Sequence, residues 1–316
     1  VAIGRSPPFI YNVRTFAANQ LPQISARLNH QKFSEIGANK TMTVEHAALL
    51  KSVESVLLDM DGVTYVGDQG LPGVQETLDY LDATGRRWLC VTNNSSRTSA
   101  DFSAKLAGMG VTVPAERILG SAEATASWLA QQVPTGTKVM LMGEQSIRDQ
   151  MTSRGFELVT DPFEAEVAVA TIFFGVNYEI LSNMTLAIRN GARFVATNPD
   201  PSLPTERGQV AGTGSLVALL ATASGQQPEY VGKPYPGMYE QAMQRVGTPA
   251  ATTLMVGDRY DTDISGALEL GLLTLGVTTG VTSAEEFASM DRPPHMIMSG
   301  LPQLLAAMQA ADQVKS

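Results

Sequence analysis

The chain has 316 residues, room for one large or two medium domains, and its hydrophobic fraction of 44% supports a sizeable core. The formal net charge of -9 argues against a nucleic-acid binder or a basic membrane-surface protein. A single cysteine, Cys90, excludes an internal disulfide framework and suits a reducing compartment, the cytoplasm first; no uncharged apolar run is long enough to span a bilayer.

The first 42 residues stand apart. Arg5, Arg14, Arg27, Lys32 and Lys40 face one acid, Glu35, so this stretch carries +4 and the remainder -13. It has no clear helical or strand period, and Pro7, Pro8 and Pro22 interrupt it. The globular pattern begins near Val44. Residues 1–52 are therefore read as a basic flexible tail or an over-long gene start, with Met42 as the true start. Organellar import by an Arg-containing, acid-poor segment is the alternative.

From residue 53 the pattern alternates. Val56, Leu57 and Leu58 form a short apolar run, as expected of a strand covered on both faces, and the run stops on Asp59, Asp61 and Gly62. A helix is predicted over 73–84, a buried strand over 87–91 running into Thr92-Asn93-Asn94-Ser95, and helices over 98–109 and 121–132. After Pro134–Gly136 a second set follows: strands over 138–142, 167–174 and 194–197, with helices over 145–154, 178–190 and 213–224. The first set is expected to resume at Tyr230-Val231-Gly232-Lys233-Pro234, then helix 237–246, strand 253–256, helix 264–270, strand 272–276, helix 283–290, strand 296–298 and a helix from Leu301. The alternation predicts an α/β fold with a doubly wound parallel sheet. Residues 53–134 and 229–316 form that core, and 135–228 an inserted α/β domain.

Four strand ends of one sheet are then expected to carry polar groups, and such ends converge on one edge. Asp59 can attack phosphorus and form an aspartyl-phosphate. Asp61 can protonate the leaving oxygen and later deprotonate water. The two repel unless a divalent cation lies between them, and Mg²⁺ suits hard oxygens and a phosphate. Thr92 and Asn93 would bind phosphate oxygens, Lys233 would neutralise phosphate, and Asp258 would complete the metal site with Asp263 behind it. Each motif alone also reads as an ordinary acidic turn, loop or helix cap. Their occurrence in order, each at a predicted strand end, favours phosphoryl transfer.

With these residues in place the chain resembles the haloacid-dehalogenase-like superfamily of phosphatases. The four motifs are Asp59-Met60-Asp61-Gly62-Val63, Thr92-Asn93-Asn94-Ser95, Gly232-Lys233-Pro234 and Gly257-Asp258 through Asp263. The insertion, with Gly191–Asp200 and Gly212-Thr213-Gly214-Ser215, looks like the C2-type cap of the 4-nitrophenylphosphatase and NagD-like branch, subclass IIA. The resemblance covers residue 52 to the C-terminus. It implies a Rossmann-type core with a C2 cap, Asp59 as nucleophile and Asp61 as general acid/base. It further implies Mg²⁺ on Asp59, the main-chain carbonyl of Asp61 and Asp258, and phosphate on Thr92, Asn93 and Lys233. The expected substrate is a small phosphorylated metabolite, and relatives pair through their caps, which sets a homodimer as the expectation. The acid two residues after the nucleophile favours phosphate chemistry over carbon–halogen cleavage. A phosphotransferase or mutase, and a non-catalytic binding protein on the same fold, are the competing readings. One segment departs: Thr171-Ile172-Phe173-Phe174-Gly175 is apolar where the branch carries a Gly-rich turn with an acid. It reads as a cap-core detail or as an apolar wall of the cleft.

Overall fold

The computed structural model describes residues 44–205 and 207–313. The expectations for residues 1–43 lie outside them. The first stretch in chain order holds α1 (Val44–Ser52), β1 (Ser55–Asp59), β2 (Tyr65–Val66), β3 (Gln69–Gly70), α2 (Val74–Ala83) and β4 (Arg87–Thr92). Next come α3 (Ser99–Gly108), β5 (Ile118–Gly120) and α4 (Ser121–Ala130). The inserted stretch holds β6 (Lys138–Met142), α5 (Gln145–Ser153), β7 (Glu157–Val159), β8 (Val167–Ala170), α6 (Tyr178–Arg189) and β9 (Arg193–Ala196). It ends with β10 (Ser202–Thr205), β11 (Gly208–Ala211), α7 (Thr213–Ser224) and β12 (Glu229–Tyr230). The chain then returns through α8 (Pro236–Val246), β13 (Thr253–Gly257), α9 (Ser265–Glu269), β14 (Leu273–Val277), α10 (Ala284–Ser289), β15 (Met296–Met298) and α11 (Leu301–Gln313).

A six-stranded parallel sheet runs β15-β14-β13-β1-β4-β5. Every residue of β1 is buried. The two-residue period sends Val56 and Leu58 to one face, with Trp88, Cys90, Leu106 and Leu304. Leu57 goes to the other, with Leu89, Met255, Ala124 and Met238. Both faces are thus covered by helices, which explains the unbroken apolar run. The chain winds outward from β1 through β4 to β5, then returns to the opposite side of β1 at β13. That reversal is the topological switch point, where the carboxyl ends of the flanking strands leave a crevice.

A second, five-stranded parallel sheet runs β12-β9-β8-β6-β7. One face packs on α6 and α7 through Met184, Ile188, Val217 and Leu220. The other packs on α5 and also on α4 of the first unit, through Ala122, Ala126 and Leu129. Those three residues recur at i, i+4 and i+7, one stripe of a helix, while Ala124 faces the six-stranded sheet. Helix α4 is therefore shared by both sheets.

Two sequence boundaries are corrected. Val44–Ser52, assigned above to the tail, is a helix packed on α11, with Leu50 fully buried in the core. Glu229–Tyr230, expected to resume the first sheet, instead pairs with β9 at the edge of the second, Tyr230 opposite Ala196. A two-residue strand carries no pattern that chooses between sheets. The two hairpins, β2–β3 and β10–β11, were not expected either, because neither shows apolar alternation over four or more residues.

Candidate active site

Asp59 is the last residue of β1, and Asp258 follows β13 immediately, so the two acids flank the switch point on neighbouring strands. Lys233 does not come from a strand of this sheet. It enters from the edge of the second sheet, where the Val231 amide donates to Ala196 O and the Gly232 amide to Thr197 O at 2.7 Å. The sheets meet here, and the lysine is delivered across the junction. Its Nζ is hydrogen-bonded to Asp59 Oδ1 and, at 2.7 Å, to Asp263 Oδ1. Lys233 is 1% exposed and Asp59 8%.

Oxygens of Asp59, Asp258 and Asp263 lie within 4.8 Å of one another. Three carboxyl groups and one ammonium are crowded into a buried site, an arrangement that could hold a divalent cation. Burial pushes Asp59 well up, the Lys233 charge pulls it down, and Asp263 and Asp258 push it up further. Burial, then Asp263, raises Asp258 to about 6. Burial works against the charge on Lys233, but Asp263 and Asp59 outweigh it and hold the ammonium above its ordinary range.

The donor set fits a hard cation. Asp258 Oδ2 accepts the Val281 amide at 2.8 Å, while its Oδ1 is buried with no protein partner. The carboxylate lies flush against two glycines. A Cβ on Gly280 would stand 1.9 Å from Asp258 Oδ2, and one on Gly62 2.4 Å from its Cγ. Asp263 is differently committed: Oδ1 takes Lys233 and Oδ2 takes the Arg259 amide at 3.1 Å. Asp263 lies in a π-helical turn, Tyr260–Ile264, ahead of the point at 264 where the sequence led a helix to be expected. Asp59 and Asp258 could hold an ion, while Asp263 is hydrogen-bonded to the lysine and the Arg259 amide.

Asp61 sits apart from that trio. Its Oδ2 accepts from the Tyr65 hydroxyl at 3.0 Å, and burial raises its carboxyl above the usual range. Thr92, 3% exposed, ends β4 and its Oγ1 accepts the Asn94 amide at 3.2 Å. Asn93 turns its amide group away, donating to Lys233 O at 2.9 Å and to Asp200 at 3.3 Å. Its own carbonyl accepts from Ser121 and from Asn198 of the inserted unit. The loop after β9 therefore braces the loop after β4. In the departing segment, Thr171 and Ile172 are buried and Phe173 packs on the second sheet's core, while Phe174 is 65% exposed.

Asp59, Thr92 and Asp258 therefore lie at the ends of neighbouring strands of the first sheet, and Lys233 joins Asp59 and Asp263 from the second. Missed were Tyr65, Asp200 and Gly280. For Gly280 the signal was a glycine in Thr278-Thr279-Gly280-Val281 just after β14; Tyr65 and Asp200 are read only through their non-local contacts.

Residues 56–157 match the haloacid dehalogenase-like hydrolase model, and residues 230–304 match a HAD-hydrolase-like model. An acid sugar phosphatase of Staphylococcus aureus is 34% identical over 260 residues, 82% of this chain and 100% of its own length. A glycerol phosphate phosphatase from Mycobacterium tuberculosis, solved in complex with magnesium, is 35% identical with TM-score 0.74, covering 82% of this chain and 77% of that one. NagD from Escherichia coli K-12 is 31% identical with TM-score 0.74, covering 79% and 97%. The matched stretches carry the switch-point acids and the buried lysine. The chain belongs to the haloacid-dehalogenase-like hydrolases, in subclass IIA, and is a phosphatase of that family.

Proposed function

We propose that the chain is a Mg²⁺-dependent phosphomonoesterase that hydrolyses small phosphate esters through an aspartyl-phosphate on Asp59. The observation that carries this reading is the buried cluster of Asp59, Asp258 and Asp263 around Lys233, with Asp258 Oδ1 unpartnered. Asp59, the main-chain carbonyl of Asp61 and Asp258 would hold Mg²⁺. When bound, the ion supplies positive charge that lets an anionic nucleophile meet an anionic phosphate.

The residues divide the remaining work. Lys233 and the Thr92 hydroxyl hold phosphate oxygens. Asn93, its side-chain NH2 occupied by Lys233 O and Asp200, offers its main-chain amide. An Asp59 oxygen attacks phosphorus as the bond to the leaving alcohol breaks, and the Asp61 proton passes to the departing oxygen. Water then attacks the phosphoryl group, Asp61 takes a water proton, and the bond to Asp59 breaks. Inorganic phosphate leaves with Asp59 ionised and Asp61 protonated, as at the start. Asp263 keeps Lys233 aimed at Asp59 throughout.

The inserted unit, 135–228 with the strand to Tyr230, acts as a C2-type cap over this edge. Asn198 and Asp200 supply the support for that reading, since they reach the Asn93 loop directly. Phosphorylated sugars and polyols are the substrate class to test first, from the names of the Staphylococcus and Mycobacterium relatives. A cytoplasmic setting is part of the proposal, supported by the single, buried Cys90; no helix among the described residues is long and apolar enough to cross a membrane. A homodimer through the cap is supported by the exposed Tyr178, Leu186 and Leu219 on α6 and α7.

The test is 4-nitrophenyl phosphate turnover. EDTA should abolish it and Mg²⁺ restore it. Asp59→Asn should reduce it to background, whereas Asp79→Asn, on the exposed face of α2, should leave it unchanged. Activity retained in Asp59→Asn would overturn the reading.

A further inference from the structure

The turn that follows the nucleophile closes on itself. The Gly62 amide donates to Tyr65 O at 2.8 Å, and the Thr64 and Tyr65 amides both donate to Met60 O. Gly62 has a φ of 80°, the left-handed backbone that such a reversal needs. The chain thereby doubles back within six residues and sets the Tyr65 side chain beside Asp61. Tyr65 is 1% exposed, its ring packed in the core with Leu106 and Val111. Phenylalanine would fill that space equally well. The hydroxyl is what packing does not require, and it points at Asp61 Oδ2, 3.0 Å away.

We infer that Tyr65 is a positioning residue for proton transfer: its hydroxyl pins one oxygen of Asp61 so that the other, carrying the proton, faces the leaving group. The inference rests on Asp61 being the general acid. A carboxyl oxygen that already accepts a hydrogen bond is the poorer base of the two, so the transferable proton resides on Oδ1. The same bond stops rotation of the carboxyl group, which otherwise has a broad torsional well. Lys105 sharpens the arrangement. Its Nζ lies 4.0 Å from the Tyr65 ring centroid, over the face, and 3.8 Å from Asp68. A cation over the ring draws electron density from the phenol and makes its O–H a better donor. Asp61 thus rests on a short relay, Asp68 to Lys105 to Tyr65, that lies outside the phosphate and metal groups.

In the first half-reaction the bond from phosphorus to the leaving oxygen breaks and one proton moves from Asp61 Oδ1 to that oxygen. A leaving group that departs readily as an anion needs that proton little, and a poor one needs it greatly. The experiment compares kcat/KM for phenyl phosphate and 4-nitrophenyl phosphate, esters of the same ring with poor and good leaving groups. This quantity reports steps only through the first phosphoryl transfer and is blind to later hydrolysis of the phosphoenzyme. For Tyr65→Phe the loss on phenyl phosphate should exceed the loss on 4-nitrophenyl phosphate by about tenfold, with a larger split for Asp61→Asn. A melting temperature of Tyr65→Phe close to the parent's would show that the ring still packs. Equal losses on both esters in Tyr65→Phe, with the split present in Asp61→Asn, would reduce Tyr65 to a packing residue and overturn the inference. No split in Asp61→Asn would overturn the inference together with the acid role it depends on.

Discussion

At the scale of single residues, Asp258 is held by backbone that leaves no space for a side chain beside it. Gly280→Ala would place a methyl group where the carboxylate now lies. The carboxylate must swing away, and Mg²⁺ affinity should fall by about 10- to 100-fold, read by titrating activity or heat with the metal. An unchanged Mg²⁺ titration would remove Asp258 from the metal site. Lys233 is the cation between two buried carboxylates, so Lys233→Met should destabilise the metal-free protein by about 3–5 kcal/mol in denaturant unfolding. A smaller loss would mean that the pair is better solvated than its burial suggests. His295 supplies a pH effect. Its Nδ1 accepts the Thr274 amide at 3.1 Å and so must be neutral, and burial, then Arg292, depresses its affinity for a proton. The folded state binds that proton less readily than the unfolded state, so stability falls as pH drops through the ordinary histidine value of 6.5. His295→Gln should weaken the loss of stability between about pH 7.5 and pH 5.5; an identical loss would assign it to other groups. Asp59, Asp258 and Lys233 were legible because each closes a short apolar run. Tyr65 was not, because its role depends on a turn folding back on itself, which no spacing of letters encodes.

At the scale of elements, the alternation of strands and helices was legible because each strand of the first sheet is buried on both faces and each helix carries one apolar stripe. The sheet to which the strand before Lys233 belongs was not legible, since two residues pair wherever an edge is open. Helix α1 was hidden for a related reason: it is short and buries only Leu50. Where the sheets meet, buried hydroxyls link them. Ser95 Oγ and Thr197 Oγ1 both bond to Thr171 Oγ1, and Ser146 Oγ donates to Ser95 O at 2.8 Å. Thr171→Val keeps the shape but leaves the buried Ser95 hydroxyl without its partner and the Thr197 hydroxyl with Asn198 alone instead of two partners, and should cost about 1–3 kcal/mol in unfolding. Ser95 follows Thr92 and Asn93, so the same change should raise KM for a phosphate ester. A neutral effect on both would show that these hydroxyl bonds add nothing to the apolar contacts at α4 and the bracing of Asn93 by Asn198.

At the scale of the whole molecule, two parallel sheets present their carboxyl edges to one another. Asp59 stands on one and Lys233 arrives from the other. This explains why an insertion that interrupts the chain between Thr92 and Lys233 does not separate them: the inserted sheet ends on the strand that delivers the lysine. The proposed mechanism requires the phosphoryl group to pass through Asp59. The most direct measurement is acid quench of the Mg²⁺-loaded protein during turnover of a radiolabelled phosphate ester, followed by peptide mapping. The account predicts label on the peptide containing Asp59, stable in acid and released by hydroxylamine, and absent from Asp59→Asn. Turnover with no labelled peptide under quench times that resolve a single cycle, or label on a different residue, would contradict it.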